Sequence, residues 1–236
     1  MRSCLIQLLI AIAVVFALLW FGLPFGASWL ATNALSAAGF TGTDTKVDIS
    51  ATVPPRILLG HADKIHLTST QVSVGDLHAA TIDMTMHDVE LINRTFGSID
   101  GVMTGVRVPT PTGDAVSFDT VSVQGQGTAA TATLTLSNAE AERVAEAQLK
   151  ATTTLVATVK FSAPDKATIT FNGQTKIGHL AVSNGSLLLI PDGSGLPTVT
   201  LLASGGGNPF SLTSVNVGAT STALTGTIDL QTLLGL

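Results

Sequence analysis

Charged residues are scarce in this chain of 236 residues, at 11% against about 25% in typical soluble domains. Thr, Ser and Gly take many of the polar positions instead. This composition excludes a charged disordered tail protein and most coiled coils. The net charge is −5, and none of the 11 Lys and Arg residues belongs to a basic run. Nucleic acid is therefore excluded as a partner, because neutralising phosphates requires clustered basic side chains.

The chain contains a single cysteine, Cys4, close to its N-terminus. The folded part of the chain can therefore form no internal disulfide and offers no cysteine-based metal site. Cys4 also precedes the long apolar run, whereas a lipoprotein signal places its cysteine after such a run. We interpret Cys4 as an incidental thiol in a leader segment.

Sequence motifs of enzymes are also missing. Residues 125–130 fit a G-x-G-x-x-A fingerprint, but the residues after them alternate like a strand, where a dinucleotide site requires a helix N-terminus. Asp83 and His87 share the polar face of one predicted strand, and a metal ion there would need a third ligand. None of the five histidines falls in a known ligand spacing: His61, His66, His78, His87 and His179. We therefore expect no enzymatic activity, no catalytic residues, no metal and no cofactor.

An uncharged apolar run occupies residues 5–23. As a helix it spans about 28 Å, close to the thickness of the hydrocarbon core of a bilayer. We predict a signal anchor or a cleaved signal peptide at residues 1–24, followed by a juxtamembrane helix or linker at 25–40 and one domain at 41–236. The domain is then exported to the cell envelope. It is either anchored to the outer face of the cytoplasmic membrane or released after cleavage.

From about Lys46 onward apolar residues alternate with polar ones, which is typical of antiparallel strands with one buried face. In some strands the phase of this alternation slips. Ile65 and Leu67 are odd-numbered, whereas Val72 and Val74 are even-numbered, and a similar slip separates residues 116 and 118 from 121 and 123. Such slips suggest bulges, which bend and coil a sheet. We predict a long, strongly curved antiparallel sheet.

One segment of the domain has helical periodicity, residues 137–151. It begins with a capping box, in which Ser137 precedes Glu140 by three residues. Its inner stripe consists mainly of small residues: Ala141, Val144, Ala145, Gln148 and Leu149. Small residues bring a helix close to a sheet or leave volume for another molecule, and both alternatives remain open. The predicted fold class is α+β, mostly β, with one main helix.

A curved sheet with few charges and a helix of small residues is a suitable container for an apolar ligand, whose recognition needs buried area and few polar contacts. Alternation indicates which residues face inward. We predict that ten inward residues form the wall of a lipid groove: Ile65, Leu67, Ile82, Met84, Met86, Phe118, Val144, Leu149, Phe161 and Phe171. In the alternative interpretation these residues are a filled core, and the chain is an exported structural or interaction module with an envelope protein as its partner.

Several short sequence motifs, taken together, carry a family resemblance. They are the extended segment 47–53 followed by PPRILLG at 54–60, DKIHL at 63–67, VGDL at 74–77, HDVEL at 87–91, PFSL at 209–212 and LTGTI at 224–228. In this order and spacing they resemble the LmeA family of actinobacterial, membrane-linked phospholipid-binding proteins, named for a lipomannan elongation factor.

The resemblance implies a fold similar to tubular lipid-binding domains, in which a long coiled antiparallel sheet wraps around a helix. It also implies an exported protein without a catalytic triad that binds anionic phospholipids and supports lipid or lipoglycan metabolism in the envelope. Phospholipid or glycolipid and the membrane are then its partners. A headgroup site could rest only on four scattered basic residues: Arg56, Lys64, Arg94 and Arg107.

Arg56 stands out among these cations because of its neighbours. It follows two prolines, which stiffen the chain, and it precedes Ile57, Leu58 and Leu59, an apolar tip able to dip into a bilayer. We predict that these four residues form a membrane-contact loop. The alternative is a structural loop tucked onto the core.

Overall fold

The computed structural model describes residues 40–51, 60–74, 77–90, 95–109, 115–127, 129–153, 155–193, 195–204 and 210–229. The predicted signal segment, most of the linker, the loop Arg56, Ile57, Leu58 and Leu59, and Arg94 lie outside these residues. Among the residues that are described, no helix is both long enough and apolar enough to cross a bilayer.

Eight antiparallel strands form the larger sheet, sheet A. The first six follow one another along the chain: β1 (Phe40–Ser50), β2 (His61–Val74), β3 (Leu77–Glu90), β4 (Ser98–Pro109), β5 (Ala115–Gln126) and β6 (Ala129–Ser137). The last two, β12 (Phe210–Val217) and β13 (Ser221–Asp229), return to the same sheet. The strand order is β1-β2-β3-β4-β5-β6-β13-β12. The alternating sequence therefore forms the antiparallel strands that it predicts.

The intervening chain forms the helix and a second antiparallel sheet. Helix α1 (Asn138–Thr153) follows β6 directly. Sheet B then contains five strands that pair in chain order: β7 (Ala157–Ser162), β8 (Lys166–Phe171), β9 (Gln174–Ser183), β10 (Ser186–Pro191) and β11 (Val199–Leu202). Its short strands are joined mostly by tight turns, which favour pairing between neighbours in the chain.

The predicted mostly β fold with one main helix is confirmed for the described residues, but the strands form two sheets where one long sheet was expected. Helix α1 contacts strands of both sheets, namely β5, β6 and β13 of sheet A and β7 and β11 of sheet B. The strands divide into two sheets because β6 ends at Ser137 and the helix that starts there carries the chain away from sheet A. The helix lies where the two sheets meet.

The predicted phase slips lie in one row that crosses four strands of sheet A. In the pairing register this row runs through Gln71, Ala80, Gly105 and Asp119. On each strand the buried face changes from odd to even numbers, or the reverse, on passing the row. Gln71 and Gly105 have left-handed backbones with φ of 49° and 57°. The predicted slips therefore lie on a common bend line across the sheet, because a left-handed residue interrupts the alternation and turns the strand.

The core lies on one face of sheet A and continues through α1 into sheet B. The strands of both sheets bury alternate residues, as the sequence pattern predicts. The largest side chains with almost no exposed surface come from all three parts: Ile65, Leu67, Ile99, Met103, Leu134, Leu149 and Ile169. These parts therefore share one hydrophobic core.

Backbone hydrogen bonds attach sheet B to the outer edge of β12. The N–H of Leu212 donates to the carbonyl of Gly185 at 3.0 Å, and the N–H of Val217 donates to the carbonyl of Pro164 at 2.7 Å. Gly185 and Pro164 belong to the β9–β10 and β7–β8 turns, which lie at the same end of sheet B. Two hairpin turns therefore cover an edge that would otherwise be open to pairing.

Candidate apolar binding site

An apolar cavity lies where α1 meets both sheets. It is partly open to solvent and has a volume of about 20 Å³, enough for one or two water molecules. Sheet A, the helix and sheet B all contribute to its lining: Val116, Leu136, Thr222, Leu224, Ala141, Val144, Phe161, Leu180, Leu187, Leu201 and Leu202. The lining is apolar except for Thr222.

The one polar side chain of the lining is already engaged. Thr222 is buried, and its hydroxyl donates to Oδ1 of Asn138 at 2.9 Å. The amide Nδ2 of Asn138 donates to the carbonyl of Gly218 at 3.0 Å, and the Asn138 backbone N–H donates to the carbonyl of Thr220 at 3.0 Å. The first residue of α1 is thus bonded to the β12–β13 hairpin, and the cavity offers no unpaired polar group at Thr222.

Ser137 caps the start of α1, since its Oγ accepts the N–H of Glu140 at 3.2 Å, and this bond is one half of the predicted capping box. The carboxylate of Glu140 reaches β5, where it accepts the N–H of Ser117 at 2.8 Å. It also binds Arg143, with Nε to Oε2 at 2.9 Å, and Arg143 donates in addition to the carbonyl of Ala115. β6 pairs with β5 only from Thr120 onward. These side-chain bonds therefore satisfy backbone groups of β5 that have no partner on β6.

The same contacts change the acidity of Glu140. The hydrogen bond from the Arg143 guanidinium is the largest effect and lowers the pKa of Glu140, with a smaller contribution from the N–H of Ser117. Partial burial opposes this shift without reversing it. Glu140 is therefore held in its charged form at the start of the helix, where a negative charge also suits the helix dipole.

Two further glutamates of α1 accept backbone hydrogen bonds from the outer edge of β7. Oε1 of Glu142 accepts the N–H of Phe161, and Oε1 of Glu146 accepts the N–H of Val159, both at 2.9 Å. The spacings match, because four helical residues rise about 6 Å and two strand residues about 6.6 Å. Glu142 is buried and also accepts from Nζ of Lys160 at 2.7 Å, which raises the pKa of that lysine. Carboxylates of one helix thus occupy edges of both sheets.

The structure places the predicted groove residues in two groups. Val144 and Phe161 line the cavity, and Leu149 and Phe118 are buried on α1 and β5. Phe171 is only partly buried and packs against the core. Apart from Phe171 on β8, these residues belong to α1 or to strands that contact it.

The second group lies on the buried face of β2 and β3. Ile65 is opposite Met86, and Leu67 is opposite Met84, with Ile82 next along β3. All five are at most 3% exposed. Alternation therefore identified inward-facing residues, and the structure adds that their side chains form one continuous apolar layer.

Most of the cavity lining from sheet B is not predicted by the sequence pattern. Leu180, Leu187, Leu201 and Leu202 were not selected, although Leu187 belongs to an apolar run that ends at Pro191. Such a run predicts a buried strand, but it does not reveal which element covers the strand. Only the return of β12 and β13 to sheet A brings these leucines opposite Leu136 and Leu224.

The polar faces of the sheets carry paired rather than clustered ionisable groups. Nε2 of His66 lies 2.9 Å from Oδ1 of Asp83, so the hydrogen-bond partner of Asp83 is on β2. Within the described ranges, His, Cys, Asp and Glu form no group of three or more that could hold a metal. Residues 129–130 begin strand β6, so the G-x-G-x-x-A pattern leads into a hairpin.

Of the four basic residues considered for a headgroup, two are described. Lys64 lies near the start of β2, and Arg107 lies near the end of β4. Both are exposed, and antiparallel pairing through β3 puts them toward opposite ends of sheet A. They do not form a joint cationic site.

No protein-family model, curated protein or solved structure matches the chain. The resemblance to the LmeA family stays a prediction based on the sequence motifs.

Proposed function

We propose that the protein is an exported, membrane-tethered phospholipid- or glycolipid-binding protein that holds acyl chains in its apolar interior. Its role is then in lipid or lipoglycan metabolism or transport in the cell envelope, as the resemblance to the LmeA family implies. The observation that carries the proposal is the apolar cavity between α1 and the two sheets. Its lining includes Val144 and Phe161 and adjoins the long apolar face of sheet A.

The chemistry of the lining favours a hydrocarbon chain over a polar ligand. Burial of each methylene contributes about 0.8 kcal/mol, so ten methylenes contribute roughly 8 kcal/mol before the costs of binding. A polar ligand would find no free partner at Thr222, whose hydroxyl is bonded to Asn138.

The cavity must widen to admit a chain, because its present space suits only one or two water molecules. The side chains that would move apart are the leucines of sheet B and the valine and alanine of α1. Methionines on the adjoining face, Met84, Met86 and Met103, are flexible enough to repack around a chain.

Lipid content and a pair of helix variants test the proposal. The protein is purified from membranes in a mild detergent, bound lipid is extracted, and the increase in Tm on adding phospholipid is measured. Ala141→Leu fills the cavity and should abolish bound lipid and this increase, whereas Ala151→Leu on the exposed face of α1 should change neither. Absence of lipid and of any Tm increase in the unchanged protein would contradict the proposal.

A second candidate function is an exported structural or interaction module with a filled core. It is favoured by the tight burial of the predicted groove wall, in which nine of the ten residues are buried. Val144→Trp and Phe161→Trp, at two predicted groove residues that line the cavity, separate the two functions. In a groove these changes displace lipid while the fold survives, whereas in a filled core they cost about 1–3 kcal/mol through overpacking and remove no ligand.

A further inference from the structure

The outer edge of β1 has no strand partner within the described part of the chain, since β1 is the terminal strand of sheet A. Its first half is irregular, with register shifts between Thr41 and Lys46 and a left-handed backbone at Asp44. Its second half pairs regularly with β2, from Lys46 to Ser50. A short, regular, unpaired edge can accept another strand.

The charges on this edge are self-complementary. Lys46 and Asp48 are both exposed on the outer face, and neither forms an ion pair within the described residues. If two copies of β1 pair antiparallel with Val47 opposite Val47, Lys46 of each copy faces Asp48 of the other. Opposite charges in directly opposed positions stabilise antiparallel strands.

The same two charges disfavour the neighbouring arrangements. A slip by two residues in one direction puts Lys46 opposite Lys46, and a slip in the other direction puts Asp48 opposite Asp48. A parallel pairing in register brings like charges side by side as well. Because like charges in opposed positions destabilise a strand pair, one register is selected.

We propose that β1 is a homodimerisation edge, at which two copies of this chain pair antiparallel around Val47 and join their A sheets into one. The paired segment is centred on Lys46, Val47 and Asp48, and Ile49, partly buried in a single chain, lies at its end. An interface of this size lies well below that of a permanent dimer, so the dimer forms reversibly at micromolar or higher concentration.

Charge reversal tests the register directly. In the full-length chain in detergent micelles, the dimer fraction is measured by analytical ultracentrifugation between about 1 and about 500 µM. Lys46→Asp alone, or Asp48→Lys alone, should weaken dimerisation at least tenfold, because each puts two pairs of like charges in contact. The double variant restores the opposite pairs and should return the dimer to its original strength.

Cysteine pairs provide an independent measurement. In a Cys4→Ser background, Lys46→Cys and Asp48→Cys chains should form a disulfide-linked heterodimer when mixed under mild oxidation, and much less product when each is alone. A chain that stays monomeric, a dimer insensitive to Lys46→Asp, or a double variant that is not rescued overturns the proposal. So does equal cross-linking in the mixed and unmixed samples.

Discussion

Replacing Glu142 by alanine removes the carboxylate by which α1 holds the edge of β7. In the native protein one oxygen of Glu142 accepts the N–H of Phe161 at 2.9 Å, and the other accepts from Nζ of Lys160 at 2.7 Å. The Glu142 side chain is 11% exposed and that of Lys160 is 69% exposed. The buried N–H therefore carries most of the cost, because an ion pair at an exposed lysine contributes little.

Leaving a buried N–H without an acceptor costs about 1–3 kcal/mol, and we expect Glu142→Ala to lower the free energy of unfolding by this amount. Glu142→Gln keeps an oxygen that can accept from Phe161, so its cost should stay below about 1 kcal/mol. Lys160→Met is the matched control for the ion pair and should change stability little. Urea denaturation measures the free energy of unfolding of all three variants, provided that its slope against urea concentration, m, stays constant.

Amide hydrogen exchange locates the effect on the strand. The amide of Phe161 should exchange faster in Glu142→Ala, while that of Val159, bonded to Glu146, should keep more of its protection. The reasoning is refuted if Glu142→Ala is as stable as the native protein. It is also refuted if Lys160→Met costs as much as Glu142→Ala, since charge pairing rather than the edge bond would then dominate.

Three other predictions concern the helix start and the bend line. Asn138→Ala leaves the buried Thr222 hydroxyl without its acceptor and should cost about 1–3 kcal/mol in thermal unfolding, a loss that a double variant with Thr222→Val should reduce. The Arg143 hydrogen bond lowers the pKa of Glu140 in the folded protein. The ionised Glu140 side chain therefore stabilises the fold fully above its unfolded-state pKa, and this stabilisation is lost as the pH falls through the folded-state pKa. Glu140→Gln should accordingly flatten the acid limb of a plot of unfolding free energy against pH below about pH 4.5. Gly105→Ala puts a side chain on a left-handed backbone with φ of 57° and should cost about 1–2 kcal/mol by urea unfolding; an unchanged midpoint would mean that the bend line relaxes freely.

Local pattern was sufficient to predict many of the strands, their buried faces and the start of the helix. The phase slip between Leu67 and Val72 is visible in the sequence because it changes which side of a strand is apolar. The cap at Ser137 is visible because it depends on residues three apart. Neither feature needs knowledge of a distant contact.

Tertiary contacts decided the features that the sequence did not reveal. Glu140, Glu142 and Glu146 look like surface charges of a helix, yet each accepts a backbone N–H from a strand that only the fold brings near. The return of β13 to β6 joins strands that α1 and all of sheet B separate along the chain. The cavity depends on that return, so alternation identified only part of its lining.

Native mass spectrometry of the full-length protein, expressed in a host with an envelope and released in the instrument from mild detergent micelles, tests the central claim most directly. We expect a stoichiometric added mass that matches a phospholipid or glycolipid and is lost in Ala141→Leu but kept in Ala151→Leu. A clean mass of the protein alone, unchanged after incubation with mixed lipids, would contradict lipid binding and indicate that the apolar interior is a filled core.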